Sequence, residues 1–312
     1  MRGWSEGVQL RSFTTLRAGG PADFLRVVRT ADEFAEAWTE AGTEGYRRTI
    51  LGWGSNVLPA DDGIAGAVIV NAARRIAVAA TGEVLAESGC SMQDLCLATV
   101  QRGLGGMEFA VGIPGTLGGS LVSNAGAYRG EISDYLEEVE IQEGASRRWV
   151  SKAWMEFGYR DSRLRRVGSP EVALLRVRFK LPSRSRVDAY EAAREFQRQR
   201  IGKQPPTPSA GSFFKNVQSH ELAQKLPGLP KLLRDLGKIP AGFLIESLGL
   251  KGLRKGGAMV GKRHANFLLN VGGATATDIR TLAGIVKGRV RESYGVELEE
   301  EVLYLGRWRG TW

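Results

Sequence analysis

Residues 112–130 read GIPGTLGGSLVSNAGAYRG, a stretch with hardly any large side chain. It contains six glycines, two alanines and two serines, together with a few apolar residues such as Ile113 and Leu117. Backbone N–H groups in turns of this kind form concave sites for anions, and glycine removes the Cβ that would hold a phosphate away. The stretch therefore predicts one of two structures: a cradle for the pyrophosphate of a cofactor, or a tightly packed, turn-rich part of an all-β core.

Length and composition restrict the class of protein. The chain has 312 residues, enough for about two domains, and its 43% hydrophobic and 25% charged content is that of an ordinary soluble protein. No apolar run approaches the ~20 residues of a membrane span, and the first 20 residues contain no apolar signal segment. Cys90 and Cys96 are too few for a disulfide framework or a metal cluster. We expect a cytoplasmic protein without membrane insertion and without a metal site.

The positive charge of the chain is concentrated in one segment. The net charge is +9, and residues 147–203 contain 16 Lys and Arg against 6 Asp and Glu. A nucleic-acid surface is one interpretation. The basic residues, however, occur singly within predicted strands and helices, and no ladder of aromatic residues accompanies them. We therefore expect a solvated basic face that attracts anionic small molecules, and no nucleic-acid partner.

Hydrophobic periodicity predicts a mixture of helices and strands. Residues 173–181 alternate in the manner of a half-buried strand, with Ala173 and Leu175 inward and Leu174 and Arg176 outward. Helices are predicted over 31–42, 90–102, 188–201 and 277–294, with a short helix inside 237–257. Further strands are predicted near 49–51, 67–70, 84–86, 139–141, 148–150, 266–270 and 298–305. Because the two kinds of element do not alternate strictly, the predicted fold class is α+β.

Few residues are candidates for proton transfer. His220 and His264 are the only histidines, which argues against a Ser-His-Asp triad or a metal site with several histidines. We expect proton transfer to fall to Ser, Tyr, Lys or a carboxylate. Residues 208–216 read PSAGSFFKN, and an extended chain after Gly211 would place Ser212, Phe214 and Asn216 on one face. This arrangement is either a hydroxyl and an amide beside an aromatic wall or a structural turn followed by a strand.

Two further segments leave the same choice open. In Tyr159-Arg160-Asp161-Ser162 an arginine is flanked by groups that could orient it, but the segment could equally be a surface turn. In the last predicted strand, Glu301 shares a face with Leu303 and Leu305. A carboxylate on an apolar face needs a partner, and such groups are enriched at functional sites. The alternative is a carboxylate at a sheet edge in water.

Eight segments together resemble one family, the UDP-N-acetylenolpyruvoylglucosamine reductases of bacterial peptidoglycan synthesis. They occur in the family's order and cover most of the chain from about residue 14 to residue 306. The matching segments are 15–23, 51–56, 112–119, 124–128, 159–162, 209–216, 262–267 and 301–302. The resemblance implies an FAD-binding α+β fold of the vanillyl-alcohol-oxidase (PCMH) type with a C-terminal α+β substrate domain. The family has no Rossmann fingerprint, and this chain has no Gly-x-Gly-x-x-Gly after a strand.

The resemblance also implies a division into domains. Residues 1–200 would form the FAD-binding region, in two subdomains with a boundary near residue 75. Residues 201–298 would form the substrate-binding domain, and residues 299–312 would return to the first subdomain.

The resemblance assigns a role to individual residues. Arg160 matches the family's active-site arginine, Ser212 its proton donor and Glu301 its active-site glutamate. Lys203 and Asn216 are similar to substrate-binding positions. The FAD-binding turns would contain Gly52, Gly54, Ser55, Asn56, Val57, Gly112, Ile113, Pro114, Gly115, Thr116, Gly118, Gly119, Asn124, Ala125, Gly126, Ala127 and Tyr128.

The chain departs from the family pattern in two places. Val217 stands where many members have proline, and the chain has no tyrosine-bearing insertion between the strand of Arg176 and Lys203. Tyr190 falls within a predicted helix and does not take the role of that tyrosine. The chain therefore resembles the subgroup without the insertion, which leaves open what binds the diphosphate of a UDP-sugar substrate.

The implied reaction uses noncovalent FAD and NADPH as co-substrate. Hydride passes through FAD to the enolpyruvyl ether of UDP-N-acetylglucosamine, Arg160 and Glu301 stabilise the developing negative charge, and Ser212 supplies the proton. One alternative is a flavin oxidase of the same fold. Such oxidases commonly tether FAD through histidine, and neither histidine lies in 112–130. The other is a nucleic-acid-binding protein, which only the basic segment supports.

Overall fold

The computed structural model describes residues 3–308 and contains both helices and strands. The helices are α1 (Ala31–Thr43), α2 (Met92–Gln101), α3 (Leu117–Val122), α4 (Arg186–Lys203), α5 (His220–Lys225), α6 (Lys231–Asp235), α7 (Ala241–Ser247) and α8 (Ala276–Tyr294). The first strands are β1 (Ser5–Gln9), β2 (Pro21–Val28), β3 (Arg48–Leu51), β4 (Val57–Pro59), β5 (Ile64–Asn71), β6 (Ile76–Val78), β7 (Glu83–Glu87), β8 (Gly126–Ala127), β9 (Gly130–Glu131) and β10 (Leu136–Glu143). The remaining strands are β11 (Ser146–Ser151), β12 (Val172–Lys180), β13 (Ser209–Ser212), β14 (Val217–Gln218), β15 (Lys238–Ile239), β16 (Arg254–Lys255), β17 (Ala258–Val260), β18 (Phe267–Asn270) and β19 (Leu303–Leu305). The α+β class is confirmed.

The chain forms two compact units. Unit 1 contains the chain up to Val8, Ala22–Trp53 and Ala65–Gly202. Unit 2 contains Gln9–Pro21, Gly54–Ile64 and the chain from Lys203 onward. The sequence-based division instead assigns residues 9–21 and 54–64 to the FAD-binding region. That division into functional domains stays a prediction, and its ends at residues 1–2 and 309–312 lie outside the described residues.

Unit 1 contains two larger sheets and several helices. One sheet has the strand order β1-β2-β5-β3, and the other has the order β11-β10-β12-β7-β6. Strands β3 and β5 pair in parallel, and the chain that connects them contains β4. Helix α1 buries Phe34 and Trp38 against Ile69 of β5 and Leu175 of β12. The predicted apolar face of residues 31–42 is therefore the face that packs.

Strand β12 is buried on both faces in its first half, which corrects the predicted alternation. Leu175 packs on the α1 side, but Leu174, predicted to face outward, is buried in the other core cluster of unit 1. The pairing of β12 with β10 shifts register between Glu140 and Ile141. Such an irregularity interrupts the period of two, so residues beyond it no longer keep the faces that alternation predicts.

Helix α2 and the residues just before it bury both cysteines. Cys96 lies in α2, and Cys90 lies before Ser91, whose hydroxyl accepts a hydrogen bond from the Asp94 N–H and caps the helix. The prediction of a helix over 90–102 is thus confirmed except at its first residues. Burial raises the pKa of each thiol to about 12, so both remain protonated at neutral pH.

Unit 2 is organised around the sheet β13-β18-β17-β16 and helix α8. Thr275 and Asp278 form a capping box at the start of α8, and Gly295 ends the helix in the left-handed conformation. Ile279, Leu282 and Val286 of α8 lie in the apolar core of this unit, as the 3.6-residue period predicts. Strand β19 pairs in parallel with β4.

The predicted strand over 298–305 is wrong in its first half. Only Leu303–Leu305 form a strand, and an isolated bridge joins Glu300 to Phe214. Residues 299–301 are nevertheless bonded through their backbone to residues 213–215. Residues 299–301 are therefore paired with residues 213–215 along one side, although they do not form a regular strand.

Candidate functional site

In unit 1, the two glycine turns predicted to bind a cofactor lie against each other. A Cβ on Gly52 would lie 2.2 Å from Thr116 Oγ1, so any larger residue at position 52 would push the turns apart. The Thr116 hydroxyl accepts the Gly119 N–H at 3.4 Å and caps α3, the short helix that contains Gly118 and Gly119. The close approach of the Gly52 backbone to the Thr116 side chain fits a cradle for a pyrophosphate.

Arg160 is bound to the second half of the same region. Its guanidinium donates to the carbonyl oxygens of Asn124, at 3.2 Å, and of Gly126, at 2.5 Å. The neighbouring Ser162, which is fully buried, donates its hydroxyl to the Val122 carbonyl at 2.8 Å. Residues 159–162 are thus a turn in which the side chains of Arg160 and Ser162 bind backbone carbonyls of residues 122–126.

Several residues near Arg160 have unusual backbone conformations. Positive φ angles occur at Asn124 (41°), Tyr128 (52°), Arg129 (71°) and Arg160 itself (53°). A non-glycine residue pays a steric penalty in this region, and such residues cluster at functional sites. Tyr128 also stacks on Phe196 of α4, with ring centroids 4.1 Å apart, and donates its hydroxyl to the Phe196 carbonyl at 3.1 Å.

In unit 2, Ser212 ends β13 at a β-bulge. The pairing of β13 with β18 matches Ser209 with Leu269 and Ser212 with Phe267, so it contains one residue more on β13 than on β18. Gly211 has a φ of 75°, which a residue with a side chain rarely adopts. A bulge changes the direction of the next side chain, and this is the structural reason for a glycine directly before Ser212.

Both phenylalanines that follow Ser212 are buried. The ring centroids of Phe213 and Phe214 are 5.3 Å apart, so the predicted aromatic residues lie in the interior. Asn266 binds the backbone of Phe214. Its side-chain amide accepts the Phe214 N–H at 3.0 Å and donates to the Phe214 carbonyl at 2.8 Å, which ends the sheet pairing at this point.

Glu301 lies beside Ser212 along the backbone. Its N–H donates to the carbonyl of Phe213, the next residue after Ser212, at 2.9 Å. Its own carbonyl accepts the Asn56 side-chain amide at 3.2 Å, and the Asn56 carbonyl accepts the Leu303 N–H at 3.0 Å. Unit 2 therefore brings together three predicted site residues, Asn56, Ser212 and Glu301, that are far apart in the sequence.

The two predicted substrate-binding residues have different surroundings. Lys203 is the exposed last residue of α4. Asn216 is half-buried, and its side-chain oxygen accepts the N–H of Ala241 at the start of α7 at 3.3 Å. His264, close by in sequence to Asn266, accepts the Asn266 N–H on Nδ1 at 3.2 Å. Burial, followed by the charge of Lys251, lowers the pKa of His264 and keeps the ring neutral at pH 7.

The basic face expected from residues 147–203 is largely neutralised. Carboxylates from outside this segment form ion pairs with many of its members. The pairs are Arg147 with Asp32 and Glu140, Arg148 with Glu143, Arg176 with Glu140, Arg178 with Glu138, Lys180 with Glu83, and Arg184 with Glu108. The local charge excess is therefore a poor guide to the field at the surface, because long-range pairing removes most of it.

Sequence reasoning did not assign a role to Asn266. It lies in the segment Lys262 to Phe267, which the resemblance had singled out without naming a function for this residue. A buried asparagine inside an apolar strand signal, as in Asn266-Phe267-Leu268-Leu269, indicates an amide with specific hydrogen-bond partners. The sequence therefore indicates that Asn266 has specific partners, but it does not identify Phe214 as that partner.

Family models match both parts of the chain. Residues 22–146 match an FAD binding domain, and residues 203–305 match the C-terminal domain of UDP-N-acetylenolpyruvoylglucosamine reductase. Taken with the α+β fold and the glycine turns, these matches define a flavin-dependent oxidoreductase.

Comparisons with individual proteins identify the family. The UDP-N-acetylenolpyruvoylglucosamine reductase of Thermotoga petrophila is 37% identical over 94% of this chain and 96% of its own length. That of Rubrobacter xylanophilus is 39% identical over 95% and 93%. The crystal structure of the reductase from Thermus caldophilus superposes with a TM-score of 0.76 at 33% identity, covering 97% of this chain and 99% of that one. The chain belongs to the UDP-N-acetylenolpyruvoylglucosamine reductase family.

Within residues 3–308, no helix combines the length and the apolar character needed to cross a membrane. Tyr190 lies in α4, as predicted, and its side chain is exposed.

Proposed function

We propose that this protein reduces the enolpyruvyl ether of UDP-N-acetylglucosamine to UDP-N-acetylmuramate in the cytoplasm, as a step of peptidoglycan precursor synthesis. FAD is bound without a covalent link, and NADPH is the reductant. The observation that supports the proposal is the backbone hydrogen bond from Glu301 to Phe213, the residue that directly follows Ser212.

The glycine turns would hold the cofactor. Gly52 and the segment from Gly112 to Gly119 supply the closely approaching backbone, and Asn124 to Tyr128 supply the adjoining turn. FAD held there would supply the hydride chemistry, with NADPH as the source and the terminal vinyl carbon of the substrate as the acceptor.

Arg160 and Glu301 stabilise the negative charge that hydride addition places on the substrate. The charge spreads from the carbon next to the carboxylate onto the carboxylate oxygens. The contacts of Arg160 with the Asn124 and Gly126 carbonyls fix its guanidinium in place before the substrate arrives. A donor held in advance costs no reorganisation when charge develops, which is why such groups accelerate the reaction.

Ser212 donates the proton. Its Oγ–H protonates the carbon next to the carboxylate, which completes the reduction of the double bond by one hydride and one proton. Serine is a weak acid, but a carbanionic carbon is a strong base, so a correctly placed hydroxyl is sufficient. The bulge at Gly211 and the two hydrogen bonds of Asn266 to Phe214 support this proposal, because they fix the backbone on both sides of Ser212.

Stopped-flow measurement of the two half-reactions tests this role. Ser212→Ala should leave the reduction of bound FAD by NADPH nearly unchanged, because that step transfers no proton to the sugar. Reoxidation by the enolpyruvyl substrate should slow by roughly 10²–10⁴-fold, the usual contribution of a general acid. Ser212→Cys, which keeps a transferable proton, should recover part of the loss.

Ser209→Ala provides the matched control, because Ser209 begins the same strand and also carries a hydroxyl. The Ser209→Ala variant should keep the wild-type rate in both half-reactions. If Ser212→Ala slows both half-reactions equally, the residue only shapes the turn. A purified protein that is colourless and cannot be reconstituted with FAD would refute the proposed function as a whole.

A further inference from the structure

Arg200 lies next to the predicted cradle in unit 1. It belongs to the last turn of α4 and is half-buried. Its guanidinium carbon is 5.4 Å from the centre of the Tyr128 ring. A Cβ on Gly112 would lie 3.0 Å from Arg200 Cδ, so the arginine stem packs against the first residue of the glycine-rich stretch.

The charge of Arg200 is not neutralised by the protein. Among residues 3–308, no carboxylate forms an ion pair with it, and its Nε is buried without a hydrogen-bond partner. Most arginines of the same basic segment differ: Arg147, Arg166 and Arg184 are each paired with carboxylates. Charged side chains are rarely buried without a partner, because removing a cation from water is costly.

A second cation makes this position still less favourable. Burial lowers the pKa of Arg200, Tyr128 acts in the opposite direction, and the positive charge of Arg160 lowers the pKa further. Arginine nevertheless stays protonated in proteins. Arg200 therefore carries its positive charge within the electrostatic influence of Arg160, and its stem packs against the first residue of the glycine-rich stretch. An anionic ligand would relieve both the repulsion and the missing hydrogen bond.

We propose that Arg200 binds a diphosphate at the glycine-rich stretch 112–119. The planar guanidinium forms paired hydrogen bonds with phosphate oxygens, and such charge-assisted bonds are strong where water is partly excluded. The inference rests on the proposed function, which supplies two ligands with this group: FAD and the UDP-sugar. It also gives an answer to how a diphosphate is held in a chain without the tyrosine-bearing insertion.

Binding measurements without turnover distinguish the two sources. FAD is titrated into apoprotein and followed by flavin fluorescence, and UDP is titrated into oxidised holoenzyme by calorimetry. Arg200→Gln should weaken one of the two by roughly 10- to 100-fold, the range expected for a lost charge-assisted hydrogen bond. A loss confined to FAD assigns its diphosphate, and a loss confined to UDP assigns the substrate. Arg200→Lys should lose less, because it keeps the charge but not the planar fork.

Arg198→Gln is the matched control. Arg198 is an exposed residue of the same helix, and its guanidinium lies 3.8 Å from the Glu195 carboxylate. Its replacement should change neither the affinity for FAD nor the affinity for UDP. Removing Arg200 should also leave the apoprotein as stable as the wild type or more stable, because it removes the repulsion with Arg160. If Arg200 instead served only to pack on Tyr128, its replacement would lower the melting temperature of the apoprotein.

Three results would overturn the inference. The first is an unchanged affinity for both FAD and UDP in Arg200→Gln. The second is an equal loss of affinity for riboflavin, which has no diphosphate. The third is a loss of apoprotein stability that accounts for weaker binding, with Arg200→Lys no better than Arg200→Gln. The proposed function fails separately, if wild-type apoprotein binds no FAD.

Discussion

The stability of unit 2 should depend strongly on the side chain of Asn266. Phe214 and Asn266 are both buried, and the asparagine amide bonds both the N–H and the carbonyl of Phe214. The other neighbouring segment cannot take over these bonds. It pairs with Phe213 and Lys215 instead, through the Glu301 N–H and the Glu299 carbonyl, so the polar groups of Phe214 point away from it.

Asn266→Ala would leave two buried backbone groups without partners. Each unsatisfied group costs about 1–3 kcal/mol, so the free energy of unfolding should fall by about 2–6 kcal/mol. This is a large share of the ~5–15 kcal/mol by which proteins of ordinary stability are folded. The replacement should also loosen Ser212, two residues before Phe214, and so slow FAD reoxidation by the sugar substrate more than FAD reduction by NADPH.

Urea unfolding followed by circular dichroism measures this loss. Gln218→Ala is the control in the same unit: its amide donates to the Leu236 carbonyl at 2.7 Å, but the side chain is exposed, and water replaces the bond. That variant should lose less than about 0.5 kcal/mol. A loss below about 1 kcal/mol in Asn266→Ala, or an equal loss in both variants, would refute the reasoning from unsatisfied buried groups.

Two further predictions concern the cysteines and helix α8. Because burial raises the pKa of Cys90 and Cys96 to about 12, neither thiol should react with a thiol reagent at pH 8 until denaturant is added. Rapid labelling of the native protein would contradict this. The Asp61 carboxylate accepts the N–H groups of Ala276 and Thr277, each at 2.8 Å, so Asp61→Ala should cost about 1–2 kcal/mol in thermal unfolding. Asp61→Asn should recover part of that loss, and equal melting temperatures for all three proteins would exclude the capping role.

Elements with a strong local signal could be predicted from the sequence. Helices α1 and α8 begin within a residue of the predicted positions, because a threonine cap and an apolar stripe both lie inside the segment itself. The family could be recognised for a similar reason. Its short motifs keep their order along the chain whatever their arrangement in space.

Predictions that depended on a distant partner were less accurate. Leu174 is buried although alternation places it outward, because the register of β12 against β10 shifts beside it. The backbone partner of Phe214 is an asparagine 52 residues further along the chain, which no local pattern identifies. A period of two describes one strand alone, whereas the pairing of two strands depends on where both are held by the rest of the fold.

The sequence by itself determined the α+β class, the main helices, the glycine-rich stretch 112–130 and the identity of the residues proposed for catalysis. Only the tertiary structure brought the backbone of Glu301 next to Phe213, which follows Ser212, and next to Asn56. Asn56 lies 245 residues before Glu301 in the sequence. Within residues 3–308, only the tertiary structure left Arg200 without a carboxylate while it paired its neighbours in the basic segment. The physical reason is that helix and strand signals arise from residues a few positions apart, whereas the partner of a buried polar or charged group is set by long-range packing.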